Sequence, residues 1–266
     1  MKSVGEVLYN LGTLLYAIVA THYITLPWYE CIQSGMRSDQ SQLNIIFAQF
    51  QRLTGYDVYS NHVFNKWMLS GICGYVSMGL LCGVLDLILP PSQKTQASRS
   101  YFSSREWTHA VALSLFNLLV SSWVVMLPVH HFMKSYPVPE SNPIHIPTEL
   151  MKFFLCFIIV ETWFYITHYA LHMPVFYSRI HKIHHRFKAP VAVASMYAHP
   201  VEFILGNLLG VVFGPLLTQC HPITSYIWIC NALIATGGSH SGYKMFFAEF
   251  HDQHHEYFDC NYGVSK

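Results

Sequence analysis

Charge is scarce in this 266-residue chain. Only 11% of its residues are Asp, Glu, Lys or Arg, against 52% hydrophobic. An average soluble domain carries about 25% charged residues. So little polarity does not cover a soluble surface of this size, which makes a membrane the expected solvent. The 15 basic and 14 acidic residues leave a net charge of +1, without the basic footprint of a nucleic-acid binder. Paired cysteines are missing as well. The seven cysteines, Cys31, Cys73, Cys82, Cys156, Cys220, Cys230 and Cys260, form no CxxC pair. Several fall inside apolar runs, where cysteine acts as a small hydrophobe, so neither a disulfide framework nor a zinc finger is expected. There is no dinucleotide fingerprint. There is no HPGG haem motif either, since His199-Pro200 and His221-Pro222 continue with Val and Ile. No Ser/Gly linker or tandem repeat divides the chain, so it reads as one domain. The N-terminus lacks the basic cluster and compact apolar core of a cleaved leader.

Long apolar runs are abundant. Residues 67–90, 107–127 and 150–167 approach or reach the roughly 20 residues needed to cross a bilayer. Residues 4–28 form a weaker first span, interrupted by His22 and several hydroxyls, which makes 150–167 the fourth. Residues 200–217 and 223–236 are shorter and broken by Gly and Pro, and are read as a re-entrant hairpin. Lys94, Arg99 and Arg105 follow the second span; Arg179, Lys182, Arg186 and Lys188 follow the fourth. Positive loops stay on the cytosolic side. The expected fold is therefore all-α: a polytopic membrane protein with about four transmembrane helices and a cytosolic histidine-rich helical cap. Residues 1–147 form the N-terminal membrane region and 148–266 the histidine-bearing region. Carboxylates in apolar spans are costly and draw functional suspicion, which points to Asp86 and Glu161.

Seventeen histidines are present, and eight of them fall into three tight groups. These are His168 and His172; His181, His184 and His185; and His251, His254 and His255. On a helix, positions three and four apart share a face, so each group presents its imidazoles on one stripe. Neutral imidazole binds iron, zinc, copper and nickel. Eight imidazoles exceed what one tetrahedral ion uses, so the pattern calls for two metal ions. The second group is expected on an amphipathic helix over residues 176–187, after the break at Pro174. The third is expected on a helix over residues 248–257.

Boxes of the form HxxxH, HxxHH and HxxHH, in this order, resemble those of the fatty acid hydroxylase / sterol desaturase superfamily. The stretch FYSRIHKIHHRFKAPVAVASMYAHP, the SHSGY element and the run EFHDQHHEYFDCNYG are similar to its methylsterol-oxidase branch. The resemblance implies two iron ions held by His168, His172, His181, His184, His185, His251, His254 and His255. It adds His240 of SHSGY as a further ligand. It makes His199 a ligand or a hydrogen-bond partner of one, and gives Asn261, Asp252 and Asp259 supporting places. It also implies O2-dependent hydroxylation or oxidation of a sterol or fatty acyl lipid in the endoplasmic reticulum membrane. Electrons would come from cytochrome b5 and an NAD(P)H-dependent reductase. His221 reads instead as a turn residue.

Three other functions stay open at this point. A desaturase uses the same scaffold, and removing two hydrogens is not separable by sequence from inserting oxygen. A metal transporter fits poorly, because transport sites sit near the bilayer midplane and these histidines follow the spans. A metal-binding scaffold without turnover is the third, motivated by the few residues after His255 compared with superfamily members. No catalytic residue beyond the metal ligands is assigned.

Overall fold

The computed structural model describes residues 42–54, 62–99, 104–133 and 136–264, together with Leu15, Tyr29 and Glu30. The expected span at residues 4–28 lies outside the described residues apart from Leu15. Every regular element among the described residues is helical; an isolated bridge between Lys94 and Tyr243 is the strand-type pairing there. Helix α1 covers Gln42–Thr54 and α2 covers His62–Ile88. Helix α3 (Ser104–Phe116) passes through a wide π turn at Asn117–Ser121 into α4 (Trp123–Met133). Helix α5 covers Ile146–Leu171, α6 Leu209–Thr218, α7 Pro222–Ser239 and α8 Glu249–Tyr257.

Among the described residues four stretches are long and apolar enough to cross a membrane: Val63–Ile88, Arg105–His131, Ile146–Leu171 and Pro200–Thr218. A helix of 26 residues reaches about 39 Å, more than the roughly 30 Å of a hydrocarbon core. Only 6% of the apolar window of α5 is buried, and Phe154, Ile158 and Tyr165 point outward from it. That is a helix solvated by lipid.

The expected re-entrant hairpin is corrected. The chain enters it at Pro200, passes a π turn at Phe203–Leu208 and continues as α6. A π turn absorbs one extra residue without ending the helix, and the Val211 carbonyl, which the missing Pro215 amide leaves open, accepts from Trp228 Nε1 at 2.9 Å, so the arm is not shortened. The turn after α6 closes on Gln219 at φ 47°. There the His221 amide donates to Glu149 Oε2 at 2.8 Å, at the foot of α5. The arms start and finish beside the histidine groups at the top of α5. They therefore run the height of that helix.

Close helix contacts replace bulky side chains along these arms. A Cβ on Gly74 of α2 would lie 2.5 Å from the Cys230 carbonyl oxygen of α7. One on Gly214 of α6 would lie 2.8 Å from Cys156 Cβ of α5. Small residues let helices pack by direct backbone approach where no hydrophobic effect drives them together.

The two ends of the bundle are tied separately. At one end the loop after α2 joins the histidine-bearing segments. Thr95 N donates to the Gly242 carbonyl at 2.9 Å, and Gln96 Nε2 donates to the Lys188 carbonyl at 2.8 Å. At the other end Lys66 pairs with Glu140 at 2.9 Å, and the Tyr136 hydroxyl donates to the Cys220 carbonyl at 2.7 Å. Both basic loops thus lie at the histidine end, as the charge pattern expects.

Candidate metal centre

Nine histidines converge at one end of the bundle, and each arrives from a different constraint. Helix α5 carries His168 in its last turn and ends at His172. The next helical turn starts at Pro174, whose missing amide proton stops α5. His181, His184 and His185 lie on a 3₁₀ segment, His181–Arg186. The expected α-helix over 176–187 is corrected to a single α turn, Pro174–Tyr177, followed by this tighter segment. In a 3₁₀ turn residues i and i+3 eclipse, so His181 and His184 project alike; their rings stack at 5.5 Å with an angle of 26°. Helix α8 carries His251, His254 and His255, close to expectation. His240 caps the C-terminus of α7.

The nine sort into two groups. His168, His172, His181, His185 and His254 form one; His184, His240, His251 and His255 form the other. Their ligand-capable nitrogens lie within 4.8 Å of one another in each group. The boxes are interleaved: the second and third each divide their histidines between both groups.

The tautomers follow from the surroundings. Six Nδ1 atoms face oxygen acceptors: His168 the Tyr262 carbonyl at 2.9 Å, His181 Glu202 Oε1 at 2.8 Å and His184 the Tyr197 carbonyl at 3.1 Å. His240 faces the Thr236 carbonyl at 2.8 Å, His254 the Cys260 carbonyl at 2.6 Å and His255 the Phe187 carbonyl at 3.0 Å. Only a protonated Nδ1 donates to such oxygens, so each of these rings keeps a bare lone pair on Nε2. The Nε2 atoms point inward and crowd each other: His181 to His172 at 2.9 Å, His185 to His181 at 3.0 Å, His251 to His240 at 2.9 Å and His255 to His251 at 3.1 Å. Two rings both protonated at Nδ1 have no Nε2 proton to place between them, as where His168 meets His181 at 3.1 Å and His184 meets His240 at 3.3 Å. Burial keeps the rings neutral, assisted by neighbouring imidazoles. His172 is brought down to about 3, His184 to about 4, His240 to about 3 and His254 to about 4. His181, His185, His251 and His255 are pushed down by the same burial.

Facing lone pairs at this separation call for a cation. An ion bonded at about 2.1 Å spaces ligands at right angles by about 3.0 Å, and tetrahedral ones by about 3.4 Å. The observed Nε2 contacts of 2.9–3.3 Å lie at about these spacings. Carbonyl and carboxylate acceptors behind imidazole are the usual orienting partners of metal-binding histidines. The residues present therefore fit a pair of transition-metal ions.

The suspected supporting residues take other places. His199 and His221 each cap a helix that begins at the following proline: His199 Nδ1 accepts from Val201 N, and His221 Nδ1 accepts from Ile223 N, both at 3.2 Å. Asn261 donates to the Phe250 carbonyl at 2.9 Å, clipping the chain back onto α8. Asp252 turns to Gln96, whose amide donates to it at 2.6 Å, and burial lifts its carboxyl to about 6. Asp86 pairs with Lys94 at 2.6 Å and accepts from the Tyr243 hydroxyl. The carboxylate that reaches the histidines is Glu202, which sequence reasoning missed. Its signal was the same one that drew attention to Glu161: an acid in an apolar run. The five carbonyl partners carry no side-chain signal at all.

A cavity of about 430 Å³ opens beneath the histidines. His168, His181, His184, His240 and His251 line one end. Phe157, Phe164, Met196 and Leu233 form walls, and Trp67, Phe153 and Trp228 close the far end.

Comparison with known proteins agrees with this architecture. The fatty acid hydroxylase family model matches residues 153–266. Fatty acid hydroxylase domain-containing protein 2 of Homo sapiens is 39% identical over 156 residues, covering 56% of this chain and 46% of that protein. Fatty acid hydroxylase ahd1 of Mycosarcoma maydis is 31% identical over 225 residues, covering 79% and 57%. Methylsterol monooxygenase 1 of Danio rerio is 32% identical over 200 residues, covering 69% and 67%. The chain thus matches about half the length of the first of these relatives. No solved structure matches. With all three boxes converging and relatives of this kind over two thirds of its length, the chain belongs to the fatty acid hydroxylase family.

Proposed function

We propose that this chain is a membrane oxygenase that hydroxylates or oxidises a sterol or fatty acyl lipid, using O2, two iron ions and external electrons. The observation that carries this reading is an apolar cavity of about 430 Å³ ending on five of the nine converging imidazoles. His168, His172, His181, His185 and His254 hold one ion; His184, His240, His251 and His255 hold the other. Five imidazoles around one ion exceed the four of tetrahedral zinc, which favours iron. Two iron ions so held supply O2 activation towards an unactivated C–H bond. The balance for hydroxylation is RH + O2 + 2 H⁺ + 2 e⁻ giving ROH + H2O.

The chain's own residues bind, orient and exclude water. Six Nδ1–H groups held by oxygen acceptors fix the direction of their Nε2 lone pairs. Phe157, Phe164, Met196 and Leu233 keep the lipid body dry. The chain has no dinucleotide motif, so the electrons come from separate proteins, cytochrome b5 and an NAD(P)H-dependent reductase. Basic loops at the histidine end support a cytosolic centre in the endoplasmic reticulum membrane. Residues 148–266 carry every ligand, and from residues 1–147 Trp67, Leu118 and Met126 help close the cavity.

The test is reconstitution of the iron-loaded protein with cytochrome b5, its reductase and ¹⁸O2, followed by mass spectrometry of sterols and acyl lipids. An ¹⁸O-labelled product is expected. An unlabelled product with a new double bond would establish desaturation instead, and no product with either lipid class would defeat the proposal.

A further inference from the structure

Buried polar atoms without a partner are rare in folded proteins, and each asks for an explanation. Among the described residues three of them line the same cavity: Ser195 Oγ, Glu202 Oε2 and Asn231 Oδ1. Glu202 carries the strongest signal. It is 4% exposed, and its Oε1 accepts from His181 Nδ1 at 2.8 Å. The same carboxylate leaves Oε2 without a donor, at the histidine end of an apolar chamber. In its ionised form a carboxylate is an acceptor only, and leaving one lone pair set unmatched in such surroundings costs more than leaving a neutral group so. The backbone supplies no remedy, because Glu202 ends the short helical turn Pro200–Glu202 and its neighbours continue into the π turn.

We infer that Glu202 Oε2 is the recognition point for a hydrogen-bond donor on the substrate, a hydroxyl group set close to the carbon that is oxidised. This rests on the cavity being the lipid site proposed above. Glu202 is then a specificity-determining residue with two duties: one oxygen orients His181, the other selects lipids that carry a hydroxyl at the metal end. A site built to bond a hydroxyl rejects an analogue lacking it far more strongly than an apolar pocket rejects a methylene. Ser195, 1% exposed and also without a partner, adds a second polar atom to the chamber's lining.

The test uses the iron-loaded protein in nanodiscs and three brominated lipids of one skeleton: the free alcohol, its methyl ether and the matching ketone. Bromine quenches the cavity tryptophans Trp67 and Trp228. The cavity signal is the part absent from a Trp67→Phe/Trp228→Phe variant. Wild-type protein should bind the alcohol about tenfold more tightly than the ether or ketone, the scale of a hydrogen bond to a charged group. Glu202→Gln keeps an oxygen for His181 and turns the free acceptor into a donor. It should reverse the preference towards the ketone while holding its iron content. Equal binding of all three lipids by the wild type would overturn the role of Glu202 and leave the lipid cavity standing. No cavity quenching by any of them would overturn both. If Glu202→Gln loses iron, the wild-type comparison alone still decides, and tight binding of the ether would refute the inference.

Discussion

At the residue scale, the interleaving of the boxes makes each histidine answerable to a particular group. His181→Ala removes a nitrogen from the five-histidine group, and His251→Ala one from the four-histidine group. Either variant should bring the metal content of purified protein from two ions per chain to at most one, read by elemental analysis. Two ions retained in both would remove the groups as metal sites. Gln96 offers a different kind of test. It donates to the buried Asp252 carboxylate from the loop after α2, so Gln96→Ala strands an acceptor beside the third box. A loss of about 1–3 kcal/mol is expected, measured as a lower unfolding midpoint in detergent. Eight of the nine histidines were legible because side-chain identity and i, i+3, i+4 spacing are both written in the chain; His240, with no histidine at that spacing, came only from the likeness of SHSGY to the family. Glu202 was not, since its importance depends on the chain folding back to His181 across 21 positions. Asp252 has the reverse explanation: an acid beside a ligand in sequence faces away from it in space.

At the element scale, the bundle depends on two glycine contacts. Gly74→Ala would drive a methyl group to 2.5 Å from the Cys230 carbonyl oxygen, and backbone cannot rotate aside. Helices α2 and α7 must then separate, at a cost of about 1–3 kcal/mol. Gly83, whose Cβ would meet nothing within 4 Å, serves as the control: Gly83→Ala should leave the unfolding temperature unchanged or raise it. Equal midpoints for the two variants would dismiss the close approach as a stabilising contact. Apolar run length located α2, α5 and the third span, and α8 lay close to its expected bounds. The second box was misassigned because i, i+3, i+4 spacing suits an α-helix and a 3₁₀ turn alike. Run length also undervalued the arm at Pro200–Thr218, where a π turn carries the helix past residues that normally interrupt one.

At the scale of the whole molecule, pH and sidedness are the accessible readouts. Eight imidazoles outside the spans are held below their ordinary value of 6.5, with His172 and His240 at about 3 and His184 and His254 at about 4. In the unfolded chain they take up protons near 6.5; in the folded chain they resist. Their contribution to stability is therefore full above about 6.5 and drains as pH falls towards 3 to 4. Asp252 has the opposite sign: raised from 3.8 to about 6, it contributes most below 3.8 and loses this as pH rises through 6. One carboxyl against eight imidazoles leaves a net acid-labile fold. Metal-stripped protein should show a lower unfolding midpoint at about pH 5 than at about pH 7.5; a midpoint that holds or rises on acidification would contradict this. Sidedness is tested with Ser92→Cys, near the histidine end, and Ser141→Cys, at the opposite one. Both positions are exposed. In sealed microsomes an impermeant maleimide should add label to the first and spare the second until detergent is added.

The sharing of boxes between the two groups also governs how the protein is made. His254 completes a group that begins at His168, and His184 belongs to a group that needs His251 and His255. Neither pocket for an ion exists while the ribosome is still synthesising α8. During most of translation the earlier imidazoles sit in a membrane or at its surface with no partner. Complete coordination of either ion therefore waits for the synthesis of α8. A nascent chain arrested before residue 251 would hold six of the nine histidines and neither complete coordination sphere.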